Sequence, residues 1–206
     1  MKEKSSSKEK ISERFQKKEI LYLGLVLFLI CAVAGLLLGI TYENTKDIIA
    51  AKKDQITKAA YTKVLPEEAG ELTEVSVPEE YRKSISEAYR AADGSYAVKV
   101  QGKGYAGDTI EIAVGFSSEG LISGVTVISH SETPGLGAKA SEPEFIGQFT
   151  GRTPEDTLKV VKNGAVNPDE IDAISGATKT SNGVTAAVNE ACRFYTEQLK
   201  GGEANE

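Results

Sequence analysis

Tryptophan is missing from this chain, histidine and methionine occur once each, and cysteine occurs only twice in 206 residues. These gaps exclude several kinds of chemistry. With His130 alone and no clustered cysteines, neither a zinc site nor an iron–sulfur centre has a ligand set. Cys31 falls in a long apolar run and Cys192 in a helical pattern near the C-terminus, so no disulfide framework is implied. Basic charge is short too: 24 Lys and Arg stand against 30 Asp and Glu, a net charge of −6. Seven of the basic and four of the acidic residues precede residue 20, which leaves Glu43–Glu206 at −9. That balance argues against nucleic acid or an anionic surface as a partner of this part.

Charge is absent altogether from Ile20 to Tyr42. As a helix rising ~1.5 Å per residue, this stretch reaches roughly 34 Å, enough to cross a bilayer core. It is too long for a cleaved signal peptide, and no small-x-small site stands at Gly39-Ile40-Thr41. Ile30 before Cys31 is too bulky for a lipoprotein signal. The expectation is a retained single span. Residues 1–19 form a short cytoplasmic tail whose lysines and arginine place the rest of the chain outside. Gly35 and Gly39 form a Gly-x-x-x-Gly pair that allows another helix to pack closely, although glycine is common in membrane helices in any case.

Residues 43–80 read as a helical stalk and connector. Ile48, Ile49, Ile56, Ala59, Ala60 and Val64 fall near one helical face, and Leu65-Pro66 ends the helix because the residue before proline disfavours helical dihedrals. Glu67–Glu80 is acidic and punctuated by proline, as expected of an irregular connector.

Residues 81–200 read as a single α+β domain. Ile85–Ala92 and Ser95–Val100 flank Asp93-Gly94, a hairpin turn signal. Thr109–Phe116 alternates with Ile110, Ile112 and Val114 on one face, and Leu121–Ile128 follows with Ile122 and Val125 as anchors. Lys159–Val161 and Glu170–Ile174 are further strand candidates, and Glu144–Phe149 a short helix. Val184, Val188, Ala191, Tyr195 and Leu199 recur at helical steps. The sum is an antiparallel sheet with a C-terminal helix packed on it. Gly102-Lys103-Gly104-Tyr105-Ala106-Gly107 sits between strands with no helix opening after it, so it reads as a hairpin corner and not a dinucleotide fingerprint. Residues 201–206 read as a disordered tail.

Two stretches carry more than fold. Asp172-Ala173-Ile174-Ser175-Gly176-Ala177-Thr178, continued by Lys179-Thr180-Ser181-Asn182-Gly183, is a tight turn feeding a helix start. Ser and Thr there are usually N-caps. Equally, a phosphate suits the unpaired N–H groups and the dipole, with Gly176 and Ala177 allowing close approach. Residue chemistry alone does not single out one hydroxyl. His130-Ser131-Glu132-Thr133-Pro134-Gly135-Leu136-Gly137-Ala138-Lys139 contains a Pro-Gly turn. An ordinary loop explains Pro134, Gly135 and Gly137 but says little about Glu132-Thr133 or Leu136. His130 fits a solvated loop position, with a role at a ligand left open.

Asp172-x-x-Ser175-Gly176-Ala177-Thr178 resembles the flavinylation motif of FMN-binding domains, and Glu132-Thr133-Pro134-Gly135-Leu136-Gly137 resembles that family's flavin-proximal loop. With both in order behind one anchor, the chain resembles end to end the G subunits of Rnf electron-transport complexes. The C subunits of sodium-translocating NADH:quinone reductases are close relatives. The resemblance implies covalent FMN on Thr178 as a phosphoester. Asp172, Ser175, Gly176, Ala177 and Thr180 would belong to the cofactor site, as would Glu132, Thr133, Pro134, Gly135, Leu136 and Gly137. It implies no metal in this chain and no catalysis by it alone. The chain would be one redox subunit of an ion-translocating ferredoxin:NAD oxidoreductase in the cell (inner) membrane. Its partners would be the other Rnf subunits and, for maturation, a magnesium-dependent flavin transferase. Alternatives are the quinone reductase C subunit, an anchored flavin domain of another extracytoplasmic electron-transfer system, or a passive binding module.

Overall fold

The computed structural model of the protein describes residues 3–162 and 164–200, with side chains from Lys18 onward. The tail expected at 201–206 lies outside the described residues, as do the side chains of most of the expected cytoplasmic tail. The chain divides into two compact units, Met1–Lys53 and Asp54–Glu206.

In the first unit the backbone is helical from Glu3, part of helix α1 (Glu3–Val64). Its apolar stretch is long and apolar enough to cross a membrane, and none of it is buried within the protein. Leu21, Phe28, Leu36 and Leu38 are each more than 60% exposed, as a lipid-facing helix requires.

The second unit is built on a five-stranded antiparallel sheet in sequential order: β1 (Leu72–Glu74), β2 (Ile85–Ala91), β3 (Tyr96–Lys103), β4 (Thr109–Phe116) and β5 (Ile122–Ser129). Period-two alternation decides what each face buries. Ile110, Ile112, Val114 and Phe116 of β4 join Val98, Val100, Ile122 and Val125 in the larger core. Helix α3 (Thr178–Phe194) lies on that side, burying Val184, Ala187, Val188 and Ala191, and a π-helical segment, Tyr195–Leu199, continues it. Phe116 stacks on Tyr195 with ring centroids 4.3 Å apart.

The opposite face carries Ala97 and Ala113, which pack with Ala60, Tyr61, Val64 and Leu65. The C-terminal turns of α1, from Thr57, are thus part of the domain and not a free stalk. The buried stripe is Thr57, Ala60, Tyr61 and Val64, while Ile48, Ile49, Ile56 and Ala59 of the expected face are exposed. Gly115 and Gly124 make this close contact possible. A Cβ at Gly115 would lie well inside 3.0 Å of the Val64 carbonyl oxygen, which also accepts a hydrogen bond from Ser123 Oγ. Lys99, buried on this face, is neutralised by Glu87 at 3.1 Å, and Glu87 accepts the Tyr61 hydroxyl at 2.9 Å.

Two other elements differ from expectation. The connector 67–80 contains β1, a three-residue edge strand paired with β2. Strands β6 (Lys159–Val161) and β7 (Glu170–Asp172) pair in parallel with each other, apart from the main sheet. The short helix α2 (Pro143–Ile146) and the 3-10 turns beside it cover the ground between β5 and β6.

Candidate functional site at the start of helix α3

Helix α3 begins at Thr178 itself, six residues before the apolar periodicity becomes readable at Val184. Gly176 turns the chain with φ +76°. Ala177 occupies the N-cap, and no side chain caps the helix. The ordinary reading of these hydroxyls as N-caps is therefore not what the structure contains. The first N–H groups of the helix keep no intrahelical acceptor, and the dipole makes this end favourable to negative charge.

The hydroxyls gathered here fall into distinct roles. Ser181 is buried; its Oγ accepts the Ile174 N–H at 2.9 Å and donates to the Ala177 carbonyl at 3.1 Å. Thr180 is 1% exposed, and its Oγ1 donates to Glu132 Oε2 at 2.9 Å. Ser175 is exposed on the turn. Thr178 is half-buried, and among the described residues nothing hydrogen-bonds its hydroxyl; only its carbonyl is engaged, by Asn182 Nδ2.

The loop 132–137 reaches this place through Glu132. Its Oε1 accepts the Tyr105 N–H at 2.7 Å while Oε2 holds Thr180. Two glycines leave room for the carboxylate, because a Cβ at Gly104 or at Gly137 would lie well inside 3.0 Å of one of its oxygens. The backbone N–H of Glu132 donates to His130 Nδ1 at 3.2 Å, so the single histidine shapes the loop. Leu136 leans on the opposite motif: a Cβ on Gly176 would meet Leu136 Cδ2 at 3.2 Å. Glu132, Leu136, Gly137, Gly176 and Thr180 are therefore brought together. Thr133, Pro134 and Gly135 form the exposed tip, closed by Leu136 N–H to the Thr133 carbonyl at 3.2 Å, with Gly135 at φ +77°.

Asp172 does structural work. Its Oδ1 accepts the Ala165 N–H at 2.7 Å, and Gln148 brackets its backbone through Oε1 to the Asp172 N–H at 2.7 Å. Beside it, Glu170 accepts the Val166 N–H, the Asn167 side chain and the Asn167 N–H, which hold its carboxyl down at about 2. A groove of about 410 Å³ opens next to the turn, lined among others by Lys139, Phe145, Gln148, Asp172 and Ser175. Among the described residues no group of His, Cys, Asp and Glu could hold a metal.

Four participants escaped the sequence reading. Gly102 and Gly183 let β3 and α3 touch: a Cβ on Gly183 would lie well inside 3.0 Å of the Lys103 carbonyl oxygen. Gln148 belongs to a segment with no motif. Tyr105 presents its ring to Lys179 Nζ at 5.2 Å, a cation–π contact worth roughly 0.5–1 kcal/mol at an exposed site. Only the glycine spacing around residue 104 hinted that this corner was crowded.

Comparison with known proteins shows the family. Residues 104–193 match the model of the FMN-binding domain family. The chain is 35% identical to the G subunit of the Na(+)-translocating ferredoxin:NAD(+) oxidoreductase complex of Acetobacterium woodii, over 94% of this chain and 99% of that one. It is also 35% identical to the proton-translocating counterpart of Clostridium ljungdahlii, over 81% and 86%. A third relative at 35%, over 88% and 97%, is the G subunit of the ion-translocating oxidoreductase complex of Methanosarcina acetivorans. Among solved structures, NqrC of Shewanella oneidensis aligns over 63% of this chain and 70% of its own, at 25% identity and a TM-score of 0.50. The chain therefore belongs to the family of the G subunits of ion-translocating oxidoreductase complexes, with a membrane-anchor helix and an FMN-binding domain.

Proposed function

We propose that this protein carries FMN covalently, as a phosphoester on Thr178, on the outer face of the membrane. There it relays electrons within a complex that couples electron flow between ferredoxin and NAD to ion transport. One observation carries the attachment. Of the three hydroxyls on the first turn of α3, Thr180 and Ser181 are buried and committed to partners, and among the described residues the hydroxyl of Thr178 alone has none.

The residues present fit the group. The Thr178 hydroxyl stands at the positive end of a 17-residue helix that has no side-chain cap among the described residues, and Gly176 turns the chain before it with φ +76°. The adjoining groove sets Lys139 and Gln148 beside the apolar wall of Phe145 and Ile174, with Glu142, Glu144 and Asp172 also in its lining. When bound, FMN supplies the redox chemistry; the chain supplies attachment, orientation and electrostatics. Thr178 Oγ1 would be the atom joined to the flavin-side phosphorus of FAD, with AMP and the hydroxyl proton released. A separate flavin transferase would catalyse it.

The orientation rests on the basic residues before Ile20 and the uncharged run after them. The relatives' names support the ferredoxin:NAD assignment and leave sodium and proton coupling both represented. The test is to make the full chain in membranes with and without an active flavin transferase. Flavin fluorescence that stays with the denatured chain only in the first case is the expected result; fluorescence lost on denaturation in both cases would contradict covalent attachment.

A further inference from the structure

We propose that Tyr105 holds the Lys179 ammonium beside Thr178 as the counter-charge to the phosphate carried there. This makes the β3–β4 turn a third part of the flavin site, and it rests on the reading of Thr178 given above.

Lys179 follows Thr178 directly on the first turn of α3, and its side chain is exposed. Among the described residues it makes no ion pair. Its Nζ lies instead 5.2 Å from the centroid of the Tyr105 ring. An aromatic face attracts an ammonium without neutralising it, whereas a carboxylate would cancel its charge. Glu132 keeps its charge, but its two oxygens are turned to the Tyr105 N–H and the Thr180 hydroxyl, and among the described residues it makes no ion pair with Lys179. The same Glu132 fixes the backbone of Tyr105 against α3, so the ring is held where Lys179 needs it. Tyr105 itself is 68% exposed, which burial of apolar surface does not explain. In a chain region of net charge −9, a cation without an ion pair next to the attachment residue stands against the prevailing sign.

The phosphate is separated from the isoalloxazine ring by the ribityl chain, so a cation paired with it acts on the redox group at long range, favouring the more electron-rich form. Removing Lys179 should therefore lower the flavin midpoint potential, and salt should shrink the difference as it screens exposed charges. The experiment compares the full chain with Lys179→Gln, Lys179→Arg and Tyr105→Leu, each made with the transferase. It reads covalent flavin by intact mass and midpoint potential by spectroelectrochemistry at low and high salt. The expected result is full flavin throughout. Lys179→Gln should show a downward shift at low salt, Tyr105→Leu a smaller shift of the same sign, and Lys179→Arg the unsubstituted value. Loss of attachment in Lys179→Gln that Lys179→Arg restores would support the same role at the attachment step. Full flavin with an unmoved potential in Lys179→Gln overturns this proposal alone, as does equal loss of attachment in both lysine variants. Absence of flavin from Thr178 in the unsubstituted chain overturns this proposal and the reading beneath it together.

Discussion

The two glycine-bearing loops that meet at the start of α3 are finished to different degrees. In the loop 132–137 every polar contact that faces inward is spent: Glu132 holds Tyr105 and Thr180, and His130 accepts the Glu132 N–H. In the turn 172–178 the chain is held as firmly, through Gln148, Asp172 and Ser181, yet it ends on a hydroxyl with nothing bound to it. Buried polar groups are nearly always satisfied, so saturation is the signature of a strut. Among the described residues the half-buried Thr178 hydroxyl has no protein partner and stays open to solvent, as the proposed attachment requires. On that reading the first loop is scaffold and the second presents the attachment hydroxyl.

The sharpest way to break that contrast is to exchange the two threonines' fates. Thr178→Val keeps shape and removes the nucleophilic oxygen, so covalent flavin should disappear while the folded domain and its thermal midpoint remain. Thr180→Val should do the reverse. The link should survive, but Glu132 loses a partner, at a cost of about 1–3 kcal/mol. Flavin content by mass and unfolding by circular dichroism separate the two outcomes.

Next in size are the glycines of the scaffold loop. Gly137→Ala drives a methyl into the Glu132 carboxyl and the Thr180 hydroxyl, and overpacking of this kind costs about 1–3 kcal/mol. It should lower both stability and flavin loading. Gly135→Val meets no neighbouring atom and acts through its φ of +77° alone. That strain is also worth roughly 1–3 kcal/mol. Loading should fall further in Gly137→Ala than in Gly135→Val at equal loss of stability, because only the first separates the two loops. Equal loading at equal stability would make the loop a mere connector.

The smallest effects test groups placed outside the reactive part. Burial pushes the Cys192 thiol up to about 12, helped by the charge of Glu155. A maleimide at neutral pH should leave Cys192 unmodified until denaturant is added, with flavin loading unchanged. Glu170 works in the other direction. Its carboxyl is held at about 2, so its support for the loop 164–169 is present above the ordinary glutamate value of about 4.3 and is lost as pH falls toward 2. Pepsin cleavage in that loop should rise across this window in the native chain and already be high in Glu170→Gln.

Much of the fold could be read from residue pattern because its strands obey simple periodicity. Ile110, Ile112 and Val114 lie on one face as their alternation requires, and Asp93-Gly94 turns between β2 and β3. What escaped did so for physical reasons. Strand β1 has three residues and one partner, too little to show an alternation. The sheet face under α1 is lined by Ala97, Ala113, Gly115 and Gly124, which carry almost no hydrophobic signal although they allow the helix to pack closely. The start of α3 was legible from its small residues and hydroxyls, although Thr178 to Gly183 is polar or small and carries no apolar periodicity. At the candidate site the two motifs lie on loops that meet at the start of α3. The resemblance singled out Thr178 by position, but sequence could not show that Thr180 and Ser181 are buried and bonded, nor that Tyr105 and Lys179 meet, because these are contacts between segments distant in sequence.

The account stands on which oxygen bears the flavin. Peptide mapping of the protein from its native membranes reads this directly, with fragmentation resolved between Thr178, Thr180 and Ser181. The expected result is one FMN less one water in mass, carried by Thr178, with Thr180 and Ser181 unmodified. The same mass on Thr180 or Ser181, or a native chain with no added mass, would contradict it.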